Sequence, residues 1–404
     1  MLCQFGFKNF KSYKNETIFD FQAGELSEFK ESLIKDDKAT PLLPVSVVYG
    51  PNGGGKTTLL QALSCLITMV VFPIHELKKN RMNLIVQQRV NCEPFLYDEK
   101  SKNEPTEFNL YFRKNNNEYR YYVAIKNDIV VSESLFRRGI GAKKTAVIFT
   151  REENNIDLGA SIGKSGINTD VNPKMLFLSF LAINYNISVI VEVQEWFESC
   201  VIRNYANPIT DLKIMINENE SFKKPFLNLL NEMGIDVCDY RYDSEKEDFL
   251  LTRKVNNVDY SLSLSKESAG TRKLFGSLPI LMIALQTGRL AIIDELDAKL
   301  HPKLLRYIIS LFTDPKINKF GAQLLFTSHD MSTMSNEVFR RDEIWFAALD
   351  DEHSSELYSL YEIRKEDGKR VNATASYNKQ YLEGRYGADP YFKKMLDCGD
   401  WARV

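Results

Sequence analysis

Apolar residues in this chain of 404 recur in blocks whose period changes along its length. Near the start, Phe5, Phe7 and Phe10, then Ile18, Phe19 and Phe21, alternate loosely with polar positions, as strands with one covered face do. "VSVVYG", from Val45 to Gly50, is instead a short continuous apolar run, which predicts a buried strand. Leu60, Leu63, Ile67 and Val70 follow at helical spacing and predict a helix directly after it. From Phe108 to Ile125, "FNLYFRKNNNEYRYYVAI" predicts a hairpin, two aromatic-rich strands about the polar turn Lys114 to Asn117.

Between about 150 and 260 the pattern shifts to helical stretches, "EVQEWFESCVIRNY" and "FLNLLNEMG", with a charged loop at Asp243 to Asp248. This predicts an inserted, mostly helical lobe at 151–260, between an N-terminal part at 1–150 and a C-terminal part at 261–404. The chain turns strongly apolar again from Leu278 to Ile293, and "QLLFTSHD" and "DEIWFAAL" add strands. No internal repeat or low-complexity tract interrupts this order, and the mixture of strands and helices is that of an α/β fold.

Composition narrows the class. A chain with 44% hydrophobic and 26% charged residues can bury a large core, as one large or two intimately joined domains. Lys plus Arg number 52 against 54 Asp plus Glu, so no global field draws the protein to nucleic acid or membrane. Such a partner needs a local basic patch, for which "RRGIGAKK" (137–144) and Lys78 to Arg81 are candidates. Six scattered cysteines without Cys-x-x-Cys spacing read as reduced thiols in a cytoplasmic protein. The N-terminal "MLCQFGFKNFKSYKNE" lacks the apolar core of a signal peptide. The uncharged stretch Met175 to Val191 is broken by Ser179, Asn184, Tyr185 and Asn186, short of the roughly 18 apolar residues a membrane span needs, so no membrane segment is expected.

The chemistry concentrates in four places. Gly50-Pro51-Asn52-Gly53-Gly54-Gly55-Lys56-Thr57 fits the P-loop pattern G-x-x-x-x-G-K-[ST] between a strand and a helix. Backbone N–H groups of Asn52 to Thr58 would cradle phosphates, with Lys56 on the β and γ groups and Thr57 on Mg²⁺. In "RLAIIDELDAKLHP" (289–302), an apolar strand ends on Asp294, placed to hold Mg²⁺, and Glu295, placed to polarise a water. Two such acids could also merely cap a strand, but adjacent carboxylates at a buried strand end call for a cation. His329, in "FTSHD" (326–330), ends another apolar strand, where it could touch a γ-phosphate or serve structure alone. "LSKESAGTRKLF" (264–275) offers Ser268 and Gly270 at the start of a helix, a further phosphate site or a plain N-cap.

Taken in order, the glycine loop, the S-x-G signature, the Asp-Glu pair, the Asp297 loop and the histidine resemble the motif series of ABC-type ATPase heads. Those include the chromosome-maintenance and RecF-like repair proteins, whose first strands "FGFKNFKSYKNE" also resembles. The closer resemblance is to compact ABC-type ATPases of the AAA superfamily that accompany bacterial phage-defence and abortive-infection loci. "EPTEFNLYF", "RRDEIWF", "SSELYSLYE" and "YLEGRYGADPYF" look like that group's stretches, so the likeness spans nearly the whole chain. The ATPase module of OLD nucleases and the ATPase subunit of the PARIS antiphage system are similar.

The resemblance implies an ABC-ATPase head, a P-loop core sheet with an antiparallel β edge, that hydrolyses ATP with Mg²⁺. It puts ATP on Gly50 to Thr57, Asp294 on the metal and Glu295 on the water. Ser268 and Gly270 of a second copy would close over the γ-phosphate, Asp297 would lie at the dimer contact, and His329 would sense the γ-phosphate. Homo-oligomers built on shared sites follow, holding a separate effector, by resemblance a toprim-type nuclease, until a phage trigger protein appears. A separate effector is expected because the chain ends about twenty residues beyond "YLEGRYGADP". The RecF-like alternative is a clamp on DNA; the motor of a membrane transporter is a third reading, from which the first strands and C-terminal stretch point away. The signature departs from the usual pattern, Ser-Ala-Gly in place of Ser-Gly-Gly, and Gln87 and Gln88 are candidates for a glutamine loop by position only, reading equally as surface polar residues. Arg385, between glycines in "EGRYGA", fits a packed turn or a contact to partner or nucleotide.

Overall fold

The computed structural model describes residues 1–78, 92–163, 166–203, 220–364 and 368–388. Two sheets organise them. A seven-stranded antiparallel sheet runs, edge to edge, Asn155–Leu158, Ala146–Glu152, Ile129–Gly139, Asn117–Lys126, Thr106–Lys114, Leu2–Lys8 and Thr17–Asp20. A six-stranded sheet runs Val201–Arg203, Leu290–Ile293, Gln323–Thr327, Val45–Tyr49, Ile344–Leu349 and Ser355–Ser359, parallel except for its last pair.

The apolar run at Val45 follows from its place in the second sheet. Parallel strands are covered on both faces, so neither face tolerates polar side chains. Val48, Ile292, Leu325 and Trp345 enter one core, with the helix Lys56–Lys78 and the aromatic face of the antiparallel sheet. Their neighbours Val47, Tyr49, Ala291, Ile293, Leu324, Phe326 and Phe346 enter a second core on the opposite face, with the helices Ala269–Thr287 and Pro302–Thr313. The helix Lys56–Lys78 thus lies between the sheets. Among the described residues it is the one unbroken helix long and apolar enough to cross a membrane, and 67% of that apolar window is buried inside the fold.

The hairpin at Phe108 forms as the pattern requires, Thr106–Lys114 against Asn117–Lys126, with Asn115 and Asn116 at φ +47° and +64° in the turn. The segment 151–260 is more mixed than the mostly helical lobe expected there. Its described helices are Phe177–Asn184, Ser188–Ser199 and Glu220–Glu232, and the helical run at 192–205 stops at Ser199 and turns into the strand Val201–Arg203. A three-stranded antiparallel sheet, Asp239–Asp243, Asp248–Val255 and Val258–Ser263, fills its second half. Tyr240 and Phe249 from that sheet pack on Phe275 of the helix Ala269–Thr287, at 5.6 and 5.4 Å. The expected boundaries at 150/151 and 260/261 both fall inside strands, Ala146–Glu152 and Val258–Ser263.

Candidate functional site

The loop after Val45–Tyr49 is held by what surrounds it. Gly50 sits at φ +145°, and a Cβ there would lie 2.0 Å from the Ala347 carbonyl oxygen on the neighbouring strand. Only glycine lets the chain turn so close to that strand. Lys56 is 6% exposed and its Nζ donates to the carbonyls of Gly50 (2.9 Å) and Pro51 (3.0 Å). Burial pushes its pKa down, against the pull of Asp294, Glu295 and Asp297. The helix it opens has no acidic residue in its first turn, so its positive end stays uncompensated. Asn52 and Gly53 are exposed at the loop's tip, Gly54 and Gly55 are buried beneath it, and Thr58 is half-buried on the helix.

Two strands away, Leu290–Ile293 delivers the acids. Thr57 Oγ1 donates to both oxygens of Asp294, at 3.0 and 3.2 Å, so the two residues expected to share a metal meet across 237 positions of sequence. Between their strands lies Gln323–Thr327, and its last residue braces both acids. Thr327 Oγ1 donates to Asp294 Oδ1 at 2.6 Å and accepts from the Glu295 amide at 2.7 Å. Glu295 has φ +47° and an exposed side chain, while its carbonyl accepts from Lys273 Nζ at 2.7 Å. Burial lowers the pKa of Lys273 to about 8, opposed by Asp297, Glu295 and Asp294.

His329 is exposed, and its backbone amide donates to Asp297 Oδ2 at 3.0 Å. The other oxygen of Asp297, Oδ1, is buried without a partner. Ser268 caps the helix Ala269–Thr287, accepting from the Thr271 amide at 3.1 Å. Gly270 lies against the Asp297 loop, where a Cβ would stand 3.0 Å from the Lys299 carbonyl oxygen. Among the described residues no hydrogen bond joins Ser268 or Gly270 to the glycine loop, and Ser268 is exposed. The loop, Asp294, Glu295, Asp297 and His329 therefore gather around one region, whereas the signature serine faces solvent.

Thr327 and Lys273 carry no motif and were not among the sequence candidates. The available signal was faint, a hydroxyl at the end of an apolar strand two residues before His329, and a lysine three residues after Gly270. Gln87, Gln88 and the basic stretch from Lys78 to Arg81 lie outside the residues whose side chains are described. Arg385 is exposed and paired with Glu383 at 2.7 Å, beside Tyr386, which packs on Phe346 at 5.3 Å.

The site fits a magnesium nucleotide. Thr57 Oγ1 and the Asp294 carboxylate are hard oxygen donors of the kind Mg²⁺ takes, and a buried lysine and a helix N-terminus free of acidic residues suit phosphate. A parallel sheet with such a loop at the end of a central strand, Walker-type acids on a nearby strand and a large antiparallel sheet packed on the intervening helix define a P-loop ATPase head of the ABC type. Residues 45–335 match the family model described as "AAA domain, putative AbiEii toxin, Type IV TA system", and the chain belongs to that family. No curated protein matches the chain. Solved structures similar to it include an SmcHead bound to the C-winged helix domain of ScpA, at 12% identity over 89% of this chain and 97% of that one, TM-score 0.46. The SMC head domain from Thermotoga maritima is similar at 13% identity over 89% of this chain and 98% of that one, TM-score 0.42.

Proposed function

We propose that this protein is a cytoplasmic ATP-binding and ATP-hydrolysing switch, which pairs copies through shared nucleotide sites and controls a separate effector of an antiphage defence system. The observation that carries the pairing is the split of the motifs: P-loop, Asp294 and Glu295 gather in one region, while Ser268 stands exposed on a helix N-terminus with no bond to the chain's own loop. A second copy supplies the missing half. Lys56 and the loop amides hold the triphosphate; Thr57 and Asp294 hold Mg²⁺, which when bound neutralises phosphate charge. Glu295 orients and deprotonates the attacking water, and His329, tethered through its backbone to Asp297, reports phosphate occupancy to the dimer contact. The defence assignment draws on the toxin–antitoxin wording of the family description and on the resemblance to phage-defence ATPases, which also makes a toprim-type nuclease the effector and a phage protein the trigger.

The test combines mass and turnover. Glu295→Gln with ATP should run as a dimer or larger species and release no phosphate, and Lys56→Ala should stay as it is without nucleotide. Hydrolysis at the wild-type rate by Glu295→Gln removes the base assignment. Co-purification with a toprim-type nuclease from the same locus tests the effector, and absence of a complex in every nucleotide state removes it.

A second reading, a clamp on DNA, is favoured by one surface. Arg120, Arg137 and Arg138, the last paired with Glu118 of the same lining, border a groove of about 580 Å³ on the antiparallel sheet, where Arg120 stands over Tyr111 at 5.6 Å and Phe136 at 5.9 Å. ATP-dependent, salt-sensitive retention of a DNA duplex by Glu295→Gln would support it.

A further inference from the structure

The carboxylate of Glu295 makes no hydrogen bond or ion pair among the described residues, so what fixes the point from which it extends is its backbone. That backbone is left-handed, at φ +47°, a conformation a non-glycine residue keeps only where its surroundings impose it. Two side chains do so, one on each side of the residue. Thr327 Oγ1 accepts from the Glu295 amide at 2.7 Å, and Lys273 Nζ donates to the Glu295 carbonyl at 2.7 Å. The same carbonyl closes the turn that follows, accepting from the Ala298 amide at 3.1 Å.

Lys273 lies one turn inside the helix that Ser268 caps, and Gly270 of that helix packs against the Lys299 carbonyl at the far end of the same loop. The helix whose exposed N-terminus would meet a second copy therefore touches the chain's own 295–299 loop twice. One contact is steric, at Gly270, and the other is a charged hydrogen bond, at Lys273.

We propose that Lys273 is a positioning residue for ATP hydrolysis. It clamps the Glu295 carbonyl, holds that residue left-handed and so aims the general base, and it ties the aim of the base to the placement of the signature helix. Lys273 touches neither nucleotide nor water in this role. The proposal rests on the ATPase reading above, and its test separates the two. Steady-state hydrolysis is measured for wild type, Lys273→Met and Lys273→Arg, alongside hydrogen exchange of the backbone amides from 294 to 300 in the nucleotide-free proteins.

Lys273→Met should lower kcat about 10- to 100-fold with the KM for ATP within about twofold of wild type, as misplacing a catalytic group does. Amides of the 295–299 turn should exchange faster in the same variant. Lys273→Arg keeps a donor of similar reach and should recover much of both. Wild-type kcat in Lys273→Met, or unchanged exchange in the turn, overturns the clamp. A matching rise in KM overturns it too, since that assigns Lys273 to nucleotide binding. If wild type itself hydrolyses no ATP the ATPase reading falls, while the exchange experiment still decides whether Lys273 holds the turn.

Discussion

Replacing Thr327 by valine removes one hydroxyl and keeps the shape of a side chain that is fully buried. Valine fills the same space, so no cavity term enters. The hydroxyl makes two bonds, donating to Asp294 Oδ1 at 2.6 Å and accepting from the Glu295 amide at 2.7 Å. The first is a hydrogen bond to a carboxylate, worth about 1.5–3 kcal/mol, and the second leaves a partly enclosed N–H unmatched at roughly 1–3 kcal/mol. Thr57 still donates to Asp294, and the surroundings relax, so the lower part of the sum is expected, about 2.5–4 kcal/mol. Urea unfolding followed by tryptophan fluorescence measures it, with Thr327→Ser as the variant that keeps both bonds. Adding Asp294→Asn completes a double-mutant cycle, in which about 1–2 kcal/mol of coupling should belong to the Thr327–Asp294 pair. Hydrolysis should fall with stability, because the same hydroxyl holds the Glu295 amide. A loss below about 0.5 kcal/mol, the scatter of ordinary surface substitutions, would refute the claim that this hydroxyl braces both acids.

Other expectations concern the scaffold. Gly50→Ala would set a Cβ 2.0 Å from the Ala347 carbonyl oxygen, so nucleotide binding should be lost even where the protein still folds, as titration with a fluorescent ATP analogue will show. Glu133 is fully buried and accepts from the amides of Phe177 (2.6 Å) and Leu178 (2.9 Å), capping a helix whose own N-cap residue makes no side-chain bond, while Arg151 stands 3.8 Å away. Arg151→Met should cost about 3–5 kcal/mol in urea unfolding by removing the cation beside that fully buried carboxylate. Burial pushes the pKa of Glu343 up from 4.5 to about 8, so the fold favours its neutral form; this contribution is complete below about pH 4.5 and disappears as pH rises through about 8. Glu343→Gln should therefore gain stability over wild type as pH rises from 5 to 9, and a difference that stays flat with pH in paired urea melts would contradict this.

The glycine loop, Asp294 and Glu295 were legible because each motif carries its own context, a short apolar strand before the loop and another before the acids. The meeting of Thr57 with Asp294 could be expected from chemistry alone, since the sequence reading assigns both to one metal. The bracing residues were not legible. Threonine at a strand end and lysine in a helix are ordinary, and their roles appear only when the strand order brings Thr327 between the loop and the acids. The same limit applies to Asp297, whose carboxylate is partly occupied by the His329 backbone amide, a bond no side-chain pattern encodes. In the middle of the chain, Asp248–Val255 is buried continuously from Asp248 to Leu251 and open at its other end, a pattern without a period of two, so the small sheet does not stand out beside the clear helical period at Phe226 to Leu230.

The strand order also carries a cost in time. Val45–Tyr49 emerges early, yet its two sheet partners, Gln323–Thr327 and Ile344–Leu349, come from the last quarter of the chain. At synthesis rates of roughly 5–20 residues per second, the glycine loop waits on the order of tens of seconds without a neighbouring strand on either side. Throughout that interval a five-residue apolar edge, Val-Ser-Val-Val-Tyr, must be shielded from other chains, whether by a chaperone or by the early aromatic hairpin. A ribosome that stalls in the middle of this message releases an intact phosphate loop with no site built around it.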